Sequence, residues 1–180
     1  TPYDEAVSLV WYLENVFYKT AGQISLYVQE AIYRGGPLQN PVLSFGFWPG
    51  GDRDGNPFVT TEITMKVADR LRNSVLKCYY RDIRSLKRKL TFSGVEALVT
   101  DIELKLYRSV YYSEGEIYIT LDELKDSLDK IRNIIVKQHQ SLYLDEIDGL
   151  INKVNLFGFH FAGLDIRQNS KIHNAVFPLF

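Results

Sequence analysis

From Thr61 to Leu90 the chain places an apolar side chain on one face at almost every turn: Ile63, Val67, Leu71, Val75, Tyr79, Ile83, Leu86 and Leu90. Steps of three and four residues match the 3.6-residue helical period, so this stretch reads as one helix with a single buried stripe. Thr60 or Thr61 suits its N-cap, with Glu62 in the first turn, where the helix dipole favours an anion. Its far end carries Lys87-Arg88-Lys89, as the dipole also prefers, and reads as a solvated helix end. A rod of this length exceeds the average globular helix of about 11–12 residues and needs other helices beside it.

The rest of the chain supplies them. Asp4 to Arg34 carries Ala6, Leu9, Val10, Leu13, Val16, Phe17, Ile24, Tyr27, Val28 and Ala31 at helical steps, with Pro2 and Asp4 at the start and Gly35-Gly36-Pro37 as a stop. Thr20-Ala21-Gly22 is a candidate kink. Ser93-Gly94-Val95-Glu96 has capping-box spacing and opens a helix through Leu98, Ile102, Leu106 and Val110, broken at Ser113-Glu114-Gly115-Glu116. Thr120-Leu121-Asp122-Glu123 is a second such box, leading into Leu124, Leu128, Ile131 and Ile135. A further helix covers Leu144 to Asn155. Two segments read instead as strands: Val42–Trp48, and Phe157–Arg167, where Phe159 and Phe161 would share one face and Leu164 and Ile166 the other. The tail from Gln168 has no clear period. The expected class is mainly α, a long-helix bundle with two short strands, over one segment spanning residues 1–180. Two strands so far apart in sequence make a poor sheet alone, which points to missing strands.

Composition narrows the function. The 21 basic residues nearly balance the 22 acidic ones, leaving no electrostatic footprint for nucleic acid or an anionic membrane. No apolar run approaches the ~20 residues of a membrane span, and Thr1 is followed by Asp4 and Glu5 instead of a basic leader. Thr1 in place of an initiator Met suggests a piece cut from a longer chain. The single cysteine, Cys78, precludes an intramolecular disulfide, sits among apolar neighbours as an inert thiol, and suits a cytoplasmic protein. His139, His160 and His173 lack metal-ligand spacing, and His160 in an aromatic strand reads as packed.

Two motifs carry chemistry. Gly50-Gly51-Asp52-Arg53-Asp54-Gly55-Asn56-Pro57 suits neither helix nor strand and must be a tight, dipole-rich turn. Its Asp52, Asp54 and Asn56 have calcium-loop spacing, but Pro57 stands where that loop needs glycine and Ile63 where it needs a bidentate Glu. A plain structural turn, with carboxylates accepting from nearby backbone N–H groups, explains it as well. Leu164-Asp165-Ile166-Arg167-Gln168 places a guanidinium at the end of a strand. It could grip a phosphate or carboxylate with paired hydrogen bonds, or simply pair with Asp165.

Four stretches, in order, resemble phosphoenolpyruvate carboxylase. Thr1-Pro2-Tyr3-Asp4-Glu5-Ala6 is similar to that family's TPxDEA, Phe45–Pro57 to FGSWMGGDRDGNP, Tyr80–Leu86 to YLRDIxxL, and Phe157–Gln168 to FGLHLVRLDIRQ. The chain departs at Phe47, Pro49, Gly163 and Asn169. The resemblance implies an enzyme that carboxylates phosphoenolpyruvate with bicarbonate to oxaloacetate and phosphate, feeding the tricarboxylic acid cycle, with Mg2+ as cofactor. It implies a homotetrameric parent in the cytoplasm, the two strands belonging to its α/β barrel. Arg167 aligns with an arginine that contacts the substrate phosphate. Gly50, Gly51, Asp52, Arg53, Asp54 and Asn56 align with a supporting turn beside the active face. The family's TAHPTE histidine, its metal-binding carboxylates and its glycine-rich arginine loops have no counterpart in these residues. The implied partners are the two substrates and the remainder of the same polypeptide, and the segment alone is expected to be inactive. The rival reading, a non-enzymatic helical interaction module, expects the Asp52 turn and Arg167 to lie far apart.

Overall fold

The computed structural model describes residues 1–34, 36, 38, 42–112 and 118–176, apart from the side chains of His173, Ala175 and Val176. Its order is α1 (Pro2–Tyr12), a π-helical turn (Leu13–Phe17), α2 (Tyr18–Tyr33), β1 (Gly46–Phe47), α3 (Thr61–Lys87), α4 (Glu96–Tyr111), α5 (Leu121–Gln138), α6 (Leu144–Phe157), β2 (Gly163–Leu164) and α7 (Ser170–Val176). The protein is mainly α-helical, with β1 and β2 paired in parallel, Gly46 against Gly163 and Phe47 against Leu164.

α1, the π turn and α2 form one continuous helix. Thr1 caps it reciprocally with Asp4, and Arg34 ends it in the left-handed conformation at φ 51°. The helical stop expected at Gly35 and Pro37 lies outside the described residues. α2 runs on as α-helix through Thr20–Gly22, where a kink was expected; the irregularity is the π turn, centred six residues earlier. Gly22 serves packing: a Cβ there would meet Lys153 Cδ of α6 at 3.0 Å. The extra residue of the π turn moves the buried face by one position. α1 buries Ala6 and Val10, then Leu13, but α2 buries Tyr18, Ala21, Gly22, Ser25 and Gln29. Val16, Phe17, Ile24 and Tyr27, which an unbroken α-helix would turn inward, face outward. Asn15 Nδ2 donates to the Trp11 carbonyl at 2.8 Å, supporting the loosened ladder.

α3 is capped by Thr60, whose hydroxyl accepts from Ile63 N, and buries the stripe read from the sequence from Val67 to Leu86; Ile63 is half-buried, and the helix ends at Lys87, leaving the buried Leu90 in the segment beyond it. α4 differs at its start: its N-cap is Val95, not Ser93, and no side chain caps it. Fully buried Val95 anchors a turn on the Phe92 carbonyl, with Gly94 at φ +81°, and this hydrophobic anchor outweighs the capping box. Thr120 caps α5 as expected. The break expected at Ser113–Glu116 lies outside the described residues.

Both expected strands are mostly not strands. Val42–Trp48 contributes only two strand residues, and in Phe157–Arg167 only Gly163 and Leu164 pair. The alternating aromatics build a knot. Phe157 completes α6, the backbone reverses through Gly158 and Phe161 at positive φ, and Phe157 and Phe161 meet edge-on at 5.2 Å. Tyr18 and Phe45 stack on Phe157 at 5.5 and 5.4 Å, while Tyr79 Oη donates to the Gly158 carbonyl at 2.7 Å. Ile166 and His160 are exposed, contrary to the alternation read for this stretch. The tail holds a short helix that no periodicity announced. Cys78 is buried, and burial pushes its thiol up to about 12.

Candidate functional site

The parallel pairing runs both strands toward the same edge, and the Asp/Gly turn sits there. Gly51 N and Asp52 N donate to the Trp48 carbonyl at 3.0 and 3.1 Å, closing the turn. Pairing then resumes beyond the formal strands: Arg167 N donates to Gly51 O at 3.1 Å and Arg53 N donates to Arg167 O at 3.0 Å. The two motifs read separately from the sequence are therefore one structure, with an isolated bridge between Asp52 and Arg167.

The glycines permit this approach. A Cβ on Gly51 would lie 2.1 Å from the Asp165 carbonyl oxygen, and one on Gly50, at φ +81°, would lie 2.6 Å from Val67 Cγ2 of α3, too close for either side chain. Any side chain at Gly51 would push the two motifs apart. Thr64, in the first turns of α3, fastens the turn to the bundle. Its hydroxyl donates to Gly50 O at 2.6 Å and accepts from Arg53 Nη2 at 3.2 Å. Arg53 Nη2 also reaches the Thr61 hydroxyl at 3.4 Å, while its buried Nε has no hydrogen-bond partner among the described residues. Asp52 Oδ1 accepts from Asp54 N at 3.1 Å and Asn56 Oδ1 from Phe58 N at 3.0 Å, the self-bonding turn chemistry of these residue types. Thr64 is the residue that sequence reading missed; it lies within a helical stripe and carries no motif of its own.

Arg167 stands at the C-terminal edge of both strands with its side chain 62% exposed. Asp165 and Asp52 approach its guanidinium at 3.5 and 3.9 Å, long contacts that an incoming anion can displace. The simple Arg167–Asp165 pair weighed from the sequence is thus present, and the guanidinium still faces solvent. Arg53 and Arg167 meet Asp52, Asp54 and Asp165 at this edge, so acidic groups outnumber basic ones. Phosphate would need further cations from outside these elements.

The YRDI stretch plays a different part. Tyr18 Oη donates to Asp82 Oδ2 at 2.8 Å, Lys153 Nζ pairs with the same oxygen, and that ammonium lies 4.7 Å from the centre of the Tyr18 ring. Burial, followed by the Asp82 charge, holds the Tyr18 hydroxyl well above its ordinary range. This triad ties α2, α3 and α6 together on the wall of a cleft of about 470 Å³.

Comparison with known proteins bears out the family resemblance. The family model described as phosphoenolpyruvate carboxylase matches residues 1–110 and 95–179. The chain belongs to the phosphoenolpyruvate carboxylase family. It is 28% identical to a phosphoenolpyruvate carboxylase of Parasynechococcus marenigrum (strain WH8102), over 97% of this chain and 24% of that protein. It is 28% identical to one from Aeromonas salmonicida (strain A449), over 78% and 19%, and 27% identical to one from Nitrosomonas eutropha, over 98% and 24%. The chain thus spans about a fifth to a quarter of the length of these curated relatives. No helix among the described residues is long and apolar enough to cross a membrane.

Proposed function

We propose that this chain is the part of a phosphoenolpyruvate carboxylase that presents Arg167 to the substrate phosphate. The reaction proposed for the whole enzyme joins bicarbonate to phosphoenolpyruvate, giving oxaloacetate and phosphate, and supplies the tricarboxylic acid cycle. One observation carries the reading. An exposed guanidinium stands at the C-terminal edge of two parallel strands, where α/β barrels bind ligands, clasped to a turn that fixes its backbone. β1 and β2 are then two strands of the parent barrel, and the remaining polypeptide contributes the others.

Within this chain the work is positional. Thr64 and Arg53 hold the turn, Gly51 lets it touch Asp165, and Arg167 supplies paired donors for a phosphoryl group and for the negative charge that develops during transfer. The residues do not fit a magnesium site: among those described, no three His, Cys, Asp or Glu side chains converge. Magnesium belongs in this proposal to the whole enzyme only, as do the homotetramer and the cytoplasmic setting. With acidic groups in excess around Arg167, the chain alone should not turn over.

Oxaloacetate formation tests both halves. The purified chain with bicarbonate, magnesium and phosphoenolpyruvate should give no product, and turnover would refute the claim of incompleteness. In a complete enzyme carrying this segment, Arg167→Gln should lower kcat/KM by about a hundredfold or more at unchanged melting temperature. Unaltered kinetics would remove Arg167 from the site. The rival interaction module expected the turn and Arg167 to lie apart, and the Asp52–Arg167 bridge speaks against it.

A further inference from the structure

Among the described residues, the backbone of Arg167 is held by the Asp/Gly turn alone. Its N–H donates to Gly51 O at 3.1 Å and its carbonyl accepts from Arg53 N at 3.0 Å, while the last pairing back toward the strands is Asp165 N to Phe47 O at 2.8 Å. The side chain beyond is exposed and meets only long ion pairs. Whatever fixes the turn therefore fixes the point from which the Arg167 guanidinium reaches out.

Two arms hold the turn, and both end on one oxygen. Thr64 Oγ1 donates to Gly50 O at 2.6 Å and accepts from Arg53 Nη2 at 3.2 Å. Gly50 and Arg53 flank Gly51 and Asp52, the residues that face Arg167 and Asp165. A hydroxyl has a single proton to give. The Thr60 carbonyl lies 3.1 Å from the same oxygen, but it already accepts from Thr64 N at 3.0 Å, and the shorter contact takes the proton to Gly50. The lone pairs are left for the Arg53 guanidinium. The Gly50 carbonyl has no other donor among the described residues, and Thr64 is only 7% exposed, so water has little access to replace the contact.

We propose that Thr64 is a positioning residue for the carboxylation reaction, a role that rests on Arg167 being the ligand of the substrate phosphate. Thr64 itself touches no substrate. Its hydroxyl holds the turn, and through the turn the Arg167 backbone, where the guanidinium can meet the phosphoryl group. An arginine has several rotatable bonds, so its reach is set by where its backbone starts, and a displacement of about 1 Å can cost about a hundredfold in rate. Valine has the shape of threonine without the proton. In its place the buried Gly50 carbonyl would be unpaired, Arg53 Nη2 would keep only the Thr61 hydroxyl at 3.4 Å, and the turn would lose both arms. Serine keeps the hydroxyl and so keeps both.

The test measures oxaloacetate formation by a complete enzyme carrying this segment, in a double-variant cycle. Thr64→Val should lower kcat/KM about tenfold or more, and Thr64→Ser should restore it to within about threefold of the unaltered enzyme. In an Arg167→Gln background, Thr64→Val should add less than about a twofold loss, because the group it positions is gone. A merely structural role requires instead that the two losses multiply, and that outcome overturns the proposal. So does full activity of Thr64→Val where Arg167→Gln alone is impaired, a result that leaves the assignment of Arg167 standing. Full activity of Arg167→Gln removes both together. Should Thr64→Val not fold, Arg53→Gln cuts the second arm alone. Its loss, about threefold or more, should likewise vanish in the Arg167→Gln background, and a loss that persists there refutes the positioning role. Melting temperatures establish which variants are folded.

Discussion

The helical bundle and the strand edge are built on opposite terms. Facing helices in the bundle close the core with their own side chains: Leu106, Leu124, Leu128, Ile131 and Ile135 are almost wholly shielded from water. Several of its buried polar groups are matched too, although Ser74 Oγ and Arg70 Nε in α3 have no hydrogen-bond partner among the described residues. Asp148 takes a two-pronged contact from Arg132 at 2.6 and 3.1 Å, and Asn152 Nδ2 donates to Gln29 Oε1 at 2.6 Å. At the strand edge, two short strands share four residues, and Trp48, Phe58 and Ile166 are exposed around them. A parallel pair this small does not stand alone. It persists because Thr64 and Gly50 weld it to α3 and because Phe47 enters the core. The bundle is built for stability, and the edge borrows that stability to hold a few groups in place.

Breaking the bundle should cost most. Asp148→Ala strands the Arg132 guanidinium in a half-buried setting and should destabilise the protein by about 3 kcal/mol, measured by chemical denaturation. Gly51→Ala should cost less overall, about 1–3 kcal/mol, because the strain is local. Its signature lies in hydrogen exchange: the amides of Arg53, Asp165 and Arg167 should lose protection while those of α4 and α5 keep theirs. Equal loss in both regions would show that the edge and bundle unfold as one.

Alkaline titration sharpens the contrast. Burial raises the Tyr18 and Tyr79 hydroxyls well above 10.0 and moves Cys78 from 9.0 to about 12. A group whose folded value is raised favours the native state below its unfolded value, and that advantage is lost as pH climbs toward the folded one. The melting temperature should therefore hold through neutrality and fall steadily above about pH 9, with a shallower fall in Cys78→Ala. The smallest effect is expected at Arg167, where Gln should change stability by no more than about 0.5 kcal/mol, since its ion pairs are long and solvent-exposed. A larger loss would recast Arg167 as a structural residue.

How far the sequence could be read differs between the same two regions. In α3 and α5 the apolar stripes named nearly all their members as buried, because helical periodicity is local and repeats over many turns; in α4 they named Ile102 and Leu106 but missed Val99, while Leu98 and Val110 are half-buried. In α2 the same method failed after Leu13, since one added residue in a π turn shifts the whole face and leaves no mark in composition. At the aromatic stretch Phe157–Phe161, spacing alone could not separate a two-residue strand repeat from a helix end followed by a reversal. The turn and Arg167 were each legible as chemistry. Neither motif indicated that Gly51 would face Asp165, or that Thr64 would join them.

Chain order alone therefore determined the helical class, most of the helix starts and the residue types that could meet an anion, because these depend on neighbours within a few positions. Only the tertiary structure decided that Arg167 meets the turn, how briefly the strands pair, and that Tyr18 and Lys153 share the Asp82 carboxylate. Those outcomes rest on contacts between residues up to 120 or so positions apart, such as Gln29 with Asn152. Packing of whole elements sets such distances, and no local pattern encodes them.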